Sequence, residues 1–146
     1  MKKIKNDHII NFSPNFSNRK DKVKYIIIHY TGMKNLKDTL QLFKSPASKV
    51  SCHWLISKKG ILYKIVEENK VAWHAGYSQW KKDINLNNIS IGIELQNRGH
   101  GKNYSNFTNS QFLTLEKLIQ NIFVRFKIKK ENVLGHSDIA PERKLD

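Results

Sequence analysis

The sequence predicts a single α/β (α+β) domain in which helices flank one central, mixed β-sheet. Three observations predict it. Short apolar runs of strand length (Tyr25-Ile26-Ile27-Ile28, Ile61 to Val66, Ile89 to Leu95) are spread along the chain; helical periodicity appears over Leu36 to Phe43 and, more strongly, over Phe112 to Phe126; and turn-forming residues separate these segments. At 146 residues with 39% hydrophobic content, the chain is long enough to bury a core of its own.

Residues 1–22 are polar and turn-rich, with Ser13-Pro14-Asn15 and Ser17-Asn18 marking loops, and they read as an N-terminal arm laid over the surface. The domain proper is expected to run from Val23 to Asp146. Tyr25 to Ile28 reads as a buried strand that ends in His29, and Leu36, Leu40 and Phe43 define a short helix stopped at Ser45-Pro46. Ser51 to Ser57 and Ile61 to Val66 form an antiparallel pair turned at Lys58-Lys59-Gly60. Asn69 to Asn88 is irregular but carries Trp73-His74-Ala75-Gly76-Tyr77 and Trp80. Loop aromatics of this kind serve ligands or pin the loop to the domain.

Ile89, Ile91 and Ile93 alternate with Ser90, Gly92 and Glu94, so Glu94 lies on the opposite strand face from the isoleucines. Residues 97–108 form a glycine- and asparagine-rich loop. Thr108 and Gln111 have the spacing of a capping box for a long helix whose stripe (Phe112, Leu115, Leu118, Ile119, Ile122, Phe123, Phe126) packs on the sheet. Asn132-Val133-Leu134 is a last strand leading to His136.

Composition bounds the function classes. The formal charge of +14 predicts attraction to polyanions, yet the lysines are dispersed and no nucleic-acid signature occurs, so no specific nucleic-acid partner is expected. One cysteine, Cys52, excludes an internal disulfide and reads as a small buried residue. No apolar run of signal or membrane-spanning length follows the basic start, which predicts a cytoplasmic protein, with a periplasmic or cell-wall location as the alternative; a monomer is expected, although no residue pattern fixes the oligomeric state.

The closing stretch, Gly135 to Asp146, offers an imidazole from His136, a carboxylate from Asp146 and a cation from Lys144. His29, at a strand end, could complete a three-ligand zinc site with one position open to water. Glu94 is then a candidate general base. By spacing alone the plainer reading is preferred, in which a strand end turns into a loop and His136 bonds Asp138; two histidines and a distant carboxylate lack the local spacing that enforces a shared face.

Five ordered segments change that balance. Ile26-Ile27-Ile28-His29-Tyr30-Thr31, Val50-Ser51-Cys52-His53-Trp54-Leu55-Ile56, Ala72-Trp73-His74-Ala75-Gly76, Ser90-Ile91-Gly92-Ile93-Glu94 and Gly135 to Pro141 with Arg143-Lys144-Leu145-Asp146 together resemble the zinc-dependent N-acetylmuramoyl-L-alanine amidases of the AmpD-like family. That fold is shared with phage amidase lysozymes and peptidoglycan-recognition proteins. The resemblance implies Zn2+ held by His29, His136 and Asp146, Glu94 as the catalytic carboxylate and Lys144 as the stabiliser of transition-state charge. It also implies substrate contact by Trp73 and His74, a structural role for His53, and a peptide-stem groove bordered by Asn97 and His100.

The implied reaction is hydrolysis of the amide between the lactyl group of N-acetylmuramic or 1,6-anhydro-N-acetylmuramic acid and L-alanine, in peptidoglycan or its muropeptide fragments, as in cell-wall recycling. A non-catalytic muropeptide-binding module is the alternative. Cys52 stands where some relatives carry tyrosine and Asp146 where some carry cysteine, which matches the branch using glutamate and aspartate. The chain stops at Asp146 where relatives continue, so its C-terminal end reads as truncated.

Overall fold

The computed structural model describes residues 8–101 and 104–146; residues 1–7 of the expected arm and residues 102–103 of the expected 97–108 loop lie outside them. Its centre is a six-stranded sheet in the order β1-β5-β4-β9-β3-β10, formed by β1 (His8–Ile10), β3 (Tyr25–Tyr30), β4 (Trp54–Ile56), β5 (Leu62–Lys64), β9 (Ser90–Leu95) and β10 (Val133–Gly135). The sheet is mixed, as expected. Strands β4, β9, β3 and β10 run parallel, β5 is antiparallel to β4, and β1 is parallel to β5. Two small antiparallel pairs stand apart from it: β2 (Phe16–Asn18) with β6 (Lys70–Ala72), and β7 (Gln79–Trp80) with β8 (Asp83–Ile84).

Central strands covered on both faces must be apolar on both, and β3 meets that condition, since Ile26 and Ile27 are both fully buried. One face of the sheet carries Ile26, Trp54, Ile56, Ile91, Ile93 and Leu95, and against it packs α2 (Asn109–Phe126) through Leu115, Leu118 and Ile122. The other face carries Tyr25 and Ile27, covered by Ala75, Leu86, Ile89 and Ile139 from the loops and from α3 (His136–Ile139). Next to it, α1 (Leu36–Lys44) closes a third cluster through Phe43 over Cys52, Leu55 and Ile65.

The local signals behave as their chemistry requires. Thr108 and Gln111 form the capping box in both directions: the Gln111 N–H donates to Thr108 Oγ1 at 3.1 Å, and the Thr108 N–H donates to Gln111 Oε1 at 3.0 Å. The β4–β5 turn uses Gly60 at φ +77°, and a Cβ there would lie 2.7 Å from the Ser110 carbonyl oxygen, so glycine is required twice over.

Two expectations need correction. The N-terminal segment is more than a surface arm: β1 is the sheet's edge strand, β2 pairs with β6, and Ser13 and Asn15 are buried, with Asn15 Nδ2 donating to the carbonyls of Ser45 and Val50 at 2.9 and 3.0 Å. Three-residue strands in an asparagine- and serine-rich segment carry no period for a sequence reading to detect. Phe112, placed in the buried stripe of the long helix, is 51% exposed, because the inward line of α2 runs through Gln111, Leu115, Leu118 and Ile122, and Gln111 takes the buried position in the first turn, its Nε2 donating to the Gln96 carbonyl at 2.9 Å.

Candidate metal centre

The parallel register of β3 and β9 pairs His29 with Glu94 at the carboxyl ends of both strands. Residues paired in register share a sheet face, so the two side chains emerge together on the face opposite α2. The neighbouring strand β10 ends at Gly135, and His136 opens α3 beside them. This is the end of a parallel sheet at which ligands are ordinarily bound.

Asp146 is brought back onto the site by the turn at Ala140, where the Arg143 and Lys144 N–H groups both donate to the Ala140 carbonyl at 3.0 Å, and by the Ser137 N–H, which donates to the Asp146 carbonyl. His136 does not bond Asp138, whose carboxylate instead accepts from the Gly135 N–H at 2.7 Å.

The result is a compact ligand set. Nδ1 of His29 and Nδ1 of His136 lie 2.9 Å apart, and each is 3.6 Å from Oδ2 of Asp146. Ligands held at 2.0–2.2 Å in a tetrahedral zinc site are separated by about 3.3–3.5 Å, so the spacing suits such an ion. Proton placement agrees. His136 Nε2 is 3.0 Å from the Ala75 carbonyl oxygen, which can only accept, so this nitrogen carries the proton and Nδ1 presents a lone pair to the cluster. A lone pair and a carboxylate converging with a second imidazole are what a cation requires. The His-His-Asp cluster is able to hold a metal ion.

The electrostatics follow from burial. Desolvation pushes the His29 imidazole down to about 4, with the Asp146 carboxylate opposing. Burial would raise the Asp146 carboxyl, but the two imidazoles beside it, His136 and His29, outweigh that and hold the group well below the usual carboxylate range. Glu94 goes the other way: burial, then the nearby Asp146 charge, push it up to about 8, against the pull of Lys144. Its Oε2 is buried without a hydrogen-bond partner.

These groups open onto a cavity of about 390 Å³, whose walls include Trp73, His74, Lys49, Arg143 and Lys144. The remaining expected contacts fare differently. Asn97 does not reach the cavity: it is 1% exposed, its Nδ2 donates to the Ser105 carbonyl at 2.7 Å and its Oδ1 accepts from the Gly99 N–H at 2.8 Å, so both ends of the amide tie down its own loop. His100 is exposed and set one step back, 3.0 Å from the hydroxyl of the cavity-lining Tyr30. His74 lines the cavity, but both its ring nitrogens face the protein. His53 is a structural residue, fully buried, accepting from the Gly92 N–H at 3.0 Å and facing the Lys70 carbonyl at 3.0 Å. Cys52 is buried as expected, and burial raises its thiol. Trp80 packs on the core as a loop anchor.

Sequence reasoning passed over Arg143 and Gly92. The Arg143 guanidinium donates to the carbonyls of Ala75 and Tyr77 and so braces the loop beside the metal ligands. A glycine in the middle of an apolar strand was the available signal for Gly92, since it marks a close approach to the backbone.

The sequence pattern of the N-acetylmuramoyl-L-alanine amidase family matches residues 19–146. The chain belongs to that family. Among its amidase relatives, N-acetylmuramoyl-L-alanine amidase AmiD of Escherichia coli (strain K12) is 37% identical across 86% of this chain and 49% of its own length. The 1,6-anhydro-N-acetylmuramyl-L-alanine amidase AmpD of Haemophilus influenzae is 39% identical across 67% of this chain and 52% of its own. This chain thus spans about half the length of the curated relatives it matches.

Among solved amidase structures, a crystal structure of AmpD superposes with a TM-score of 0.84 at 28% identity, covering 97% of this chain and 87% of that one. The Escherichia coli AmiD complex with the substrate anhydro-N-acetylmuramic acid-L-Ala-D-gamma-Glu-L-Lys superposes with a TM-score of 0.79 at 33% identity, covering 99% of this chain and 55% of that one. Among the described residues no helix is long and apolar enough to cross a membrane.

Proposed function

We propose that this chain is a zinc-dependent amidase that hydrolyses the bond between the lactyl group of N-acetylmuramic or 1,6-anhydro-N-acetylmuramic acid and L-alanine in peptidoglycan fragments. The observation that carries the reading is the convergence of His29, His136 and Asp146 beside a buried, unpartnered Glu94 on one open cavity. Family membership supports the bond class, and the peptides named in the AmiD complex support the substrate class.

His29, His136 and Asp146 would hold the zinc. When bound, it would polarise the scissile carbonyl and lower the pKa of a water to about 7. Glu94 moves the protons. Its Oε2 has no other hydrogen-bond partner, so in the ionised form the Glu94 carboxylate can take a proton from the attacking water and return it to the leaving nitrogen; the water oxygen ends on the lactyl carbonyl carbon, the C–N bond breaks and L-alanine departs as an amine. The Lys144 ammonium stabilises the negative charge that develops on the carbonyl oxygen. Trp73 offers an apolar wall to the substrate, and Lys49 and Arg143 place positive charge where the carboxylates of a peptide stem would lie.

A defined anhydromuramyl tripeptide, incubated with the purified chain with and without chelator and read by mass spectrometry, tests metal, bond and substrate together. Free tripeptide and anhydromuramic acid are expected without chelator and neither with it. Intact substrate in the presence of stoichiometric zinc would refute the catalytic reading and leave a binding module.

A further inference from the structure

Beneath the ligand cluster lies a chain of hydrogen bonds that the proposed reaction does not use. His29 Nε2 is 2.9 Å from His74 Nδ1, His74 Nε2 is 3.2 Å from Ser90 Oγ, and Ser90 Oγ is 2.6 Å from the Leu86 carbonyl oxygen. All three side chains are buried. The order of donors can be read from the far end. A carbonyl oxygen only accepts, so the Ser90 hydroxyl donates to Leu86 and has only lone pairs to offer His74. His74 Nε2 is therefore the protonated nitrogen. Neither of its nitrogens meets a carboxylate, so the buried ring is neutral and Nδ1 keeps its lone pair. That lone pair accepts from His29 Nε2–H, which leaves His29 Nδ1, the atom facing His136 and Asp146, without a proton.

We propose that His74, anchored by Ser90 and the Leu86 carbonyl, is a positioning residue that holds His29 in the tautomer able to bind a metal ion, rather than a contact for substrate. This rests on the metal reading of His29, His136 and Asp146. A separate observation shows that the strand is built around the ring: a Cβ on Gly92 would lie 2.4 Å from His74 Cγ and 2.7 Å from its Nδ1, so β9 carries no side chain where the imidazole lies on its backbone. The backbone of the same segment is clamped independently, because the N–H groups of His74 and Ala75 both donate to Asn87 Oδ1, at 3.0 and 2.8 Å. The Ala75 carbonyl in turn accepts from His136 Nε2. One dipeptide, His74-Ala75, thus sets the proton positions of both histidine ligands, one through a side chain and the other through a carbonyl.

The test is a chelator-competition titration of zinc affinity on the full chain and its variants, with circular dichroism of each metal-free protein and steady-state kinetics of the loaded ones. His74→Leu removes the acceptor and is expected to weaken zinc by about 10- to 100-fold, the usual range for partners behind a ligand. His74→Asn, whose Oδ1 can take the place of Nδ1 as acceptor, should recover most of that loss. Gly92→Ala, which leaves His74 in the sequence but displaces its ring, should weaken zinc as His74→Leu does, and Ser90→Ala should do so to a smaller extent.

Wild-type zinc affinity in a folded His74→Leu, with only KM raised, would overturn the proposal in favour of substrate contact. Equal losses in His74→Leu and His74→Asn would overturn it in favour of plain packing. Should His74→Leu fail to fold, unchanged affinity in both Gly92→Ala and Ser90→Ala would overturn it. Failure of the wild-type chain to bind zinc would instead bring down the metal reading itself, and this proposal with it.

Discussion

Replacing Glu94 with glutamine should make the metal-free protein more stable at alkaline pH while removing nearly all turnover. The stability effect comes from the buried carboxyl. In the unfolded chain Glu94 ionises near 4.5, whereas in the fold it holds its proton up to about 8, chiefly because burial disfavours the charge and Asp146 adds to the effect. A carboxyl raised on folding costs nothing below 4.5, where it is neutral in both states. Between 4.5 and about 8 only the unfolded state releases the proton, so the fold loses stability steadily over that window and then levels off. At about 1.4 kcal/mol per pH unit the ceiling is about 5 kcal/mol; because the residue sits on an open cavity wall that water can enter, roughly half of that is the better expectation.

Glutamine keeps the shape and cannot ionise. Thermal unfolding of both metal-free proteins should therefore give nearly equal Tm values at pH 4.5 and a variant higher by several degrees at pH 9. Turnover of the zinc-loaded variant should fall by about 10²- to 10⁴-fold, the range for loss of a general base. A Tm difference that does not change between the two pH values would refute the account of the buried carboxyl, and undiminished turnover would remove Glu94 from the mechanism.

Other perturbations separate metal binding, charge stabilisation and folding. His29→Ala should lose zinc together with activity, since two protein ligands are too few to hold the ion; stoichiometric zinc by elemental analysis would place the site elsewhere. Lys144→Met should retain zinc and lose about a hundredfold to a thousandfold in kcat, and a kcat within a few fold of wild type would remove it from the reaction. Arg19 donates to the carbonyls of Glu68, Asn88, Lys70 and Ser90, so Arg19→Ala should cost about 2–3 kcal/mol of stability in urea unfolding while leaving the zinc affinity of the folded protein intact. A stability loss below 0.5 kcal/mol would show those carbonyls to be satisfied without it.

What the sequence determined by itself is whatever acts within a few residues along the chain. The Thr108–Gln111 capping box, the glycine turn at Gly60, the two-faced burial of β3 and the stripe of α2 each depend on the local backbone, on side-chain period or on φ, and all are legible in the residue order. Glu94 could be placed on a strand face by alternation, although nothing local said what that face looked onto.

Tertiary structure decided the rest, because the partners are distant in sequence and their meeting depends on strand register and chain return. The register of β3 with β9 put Glu94 beside His29, and the turn at Ala140 carried Asp146 back to both histidines. The same long-range packing turned His74 inward onto Gly92, used up both ends of the Asn97 amide inside its own loop, and drew β1 into the edge of the sheet. A side chain's chemistry is written in its residue type, but whether its polar atoms face substrate, metal or a neighbouring carbonyl is set by groups that the folded chain brings to it from elsewhere.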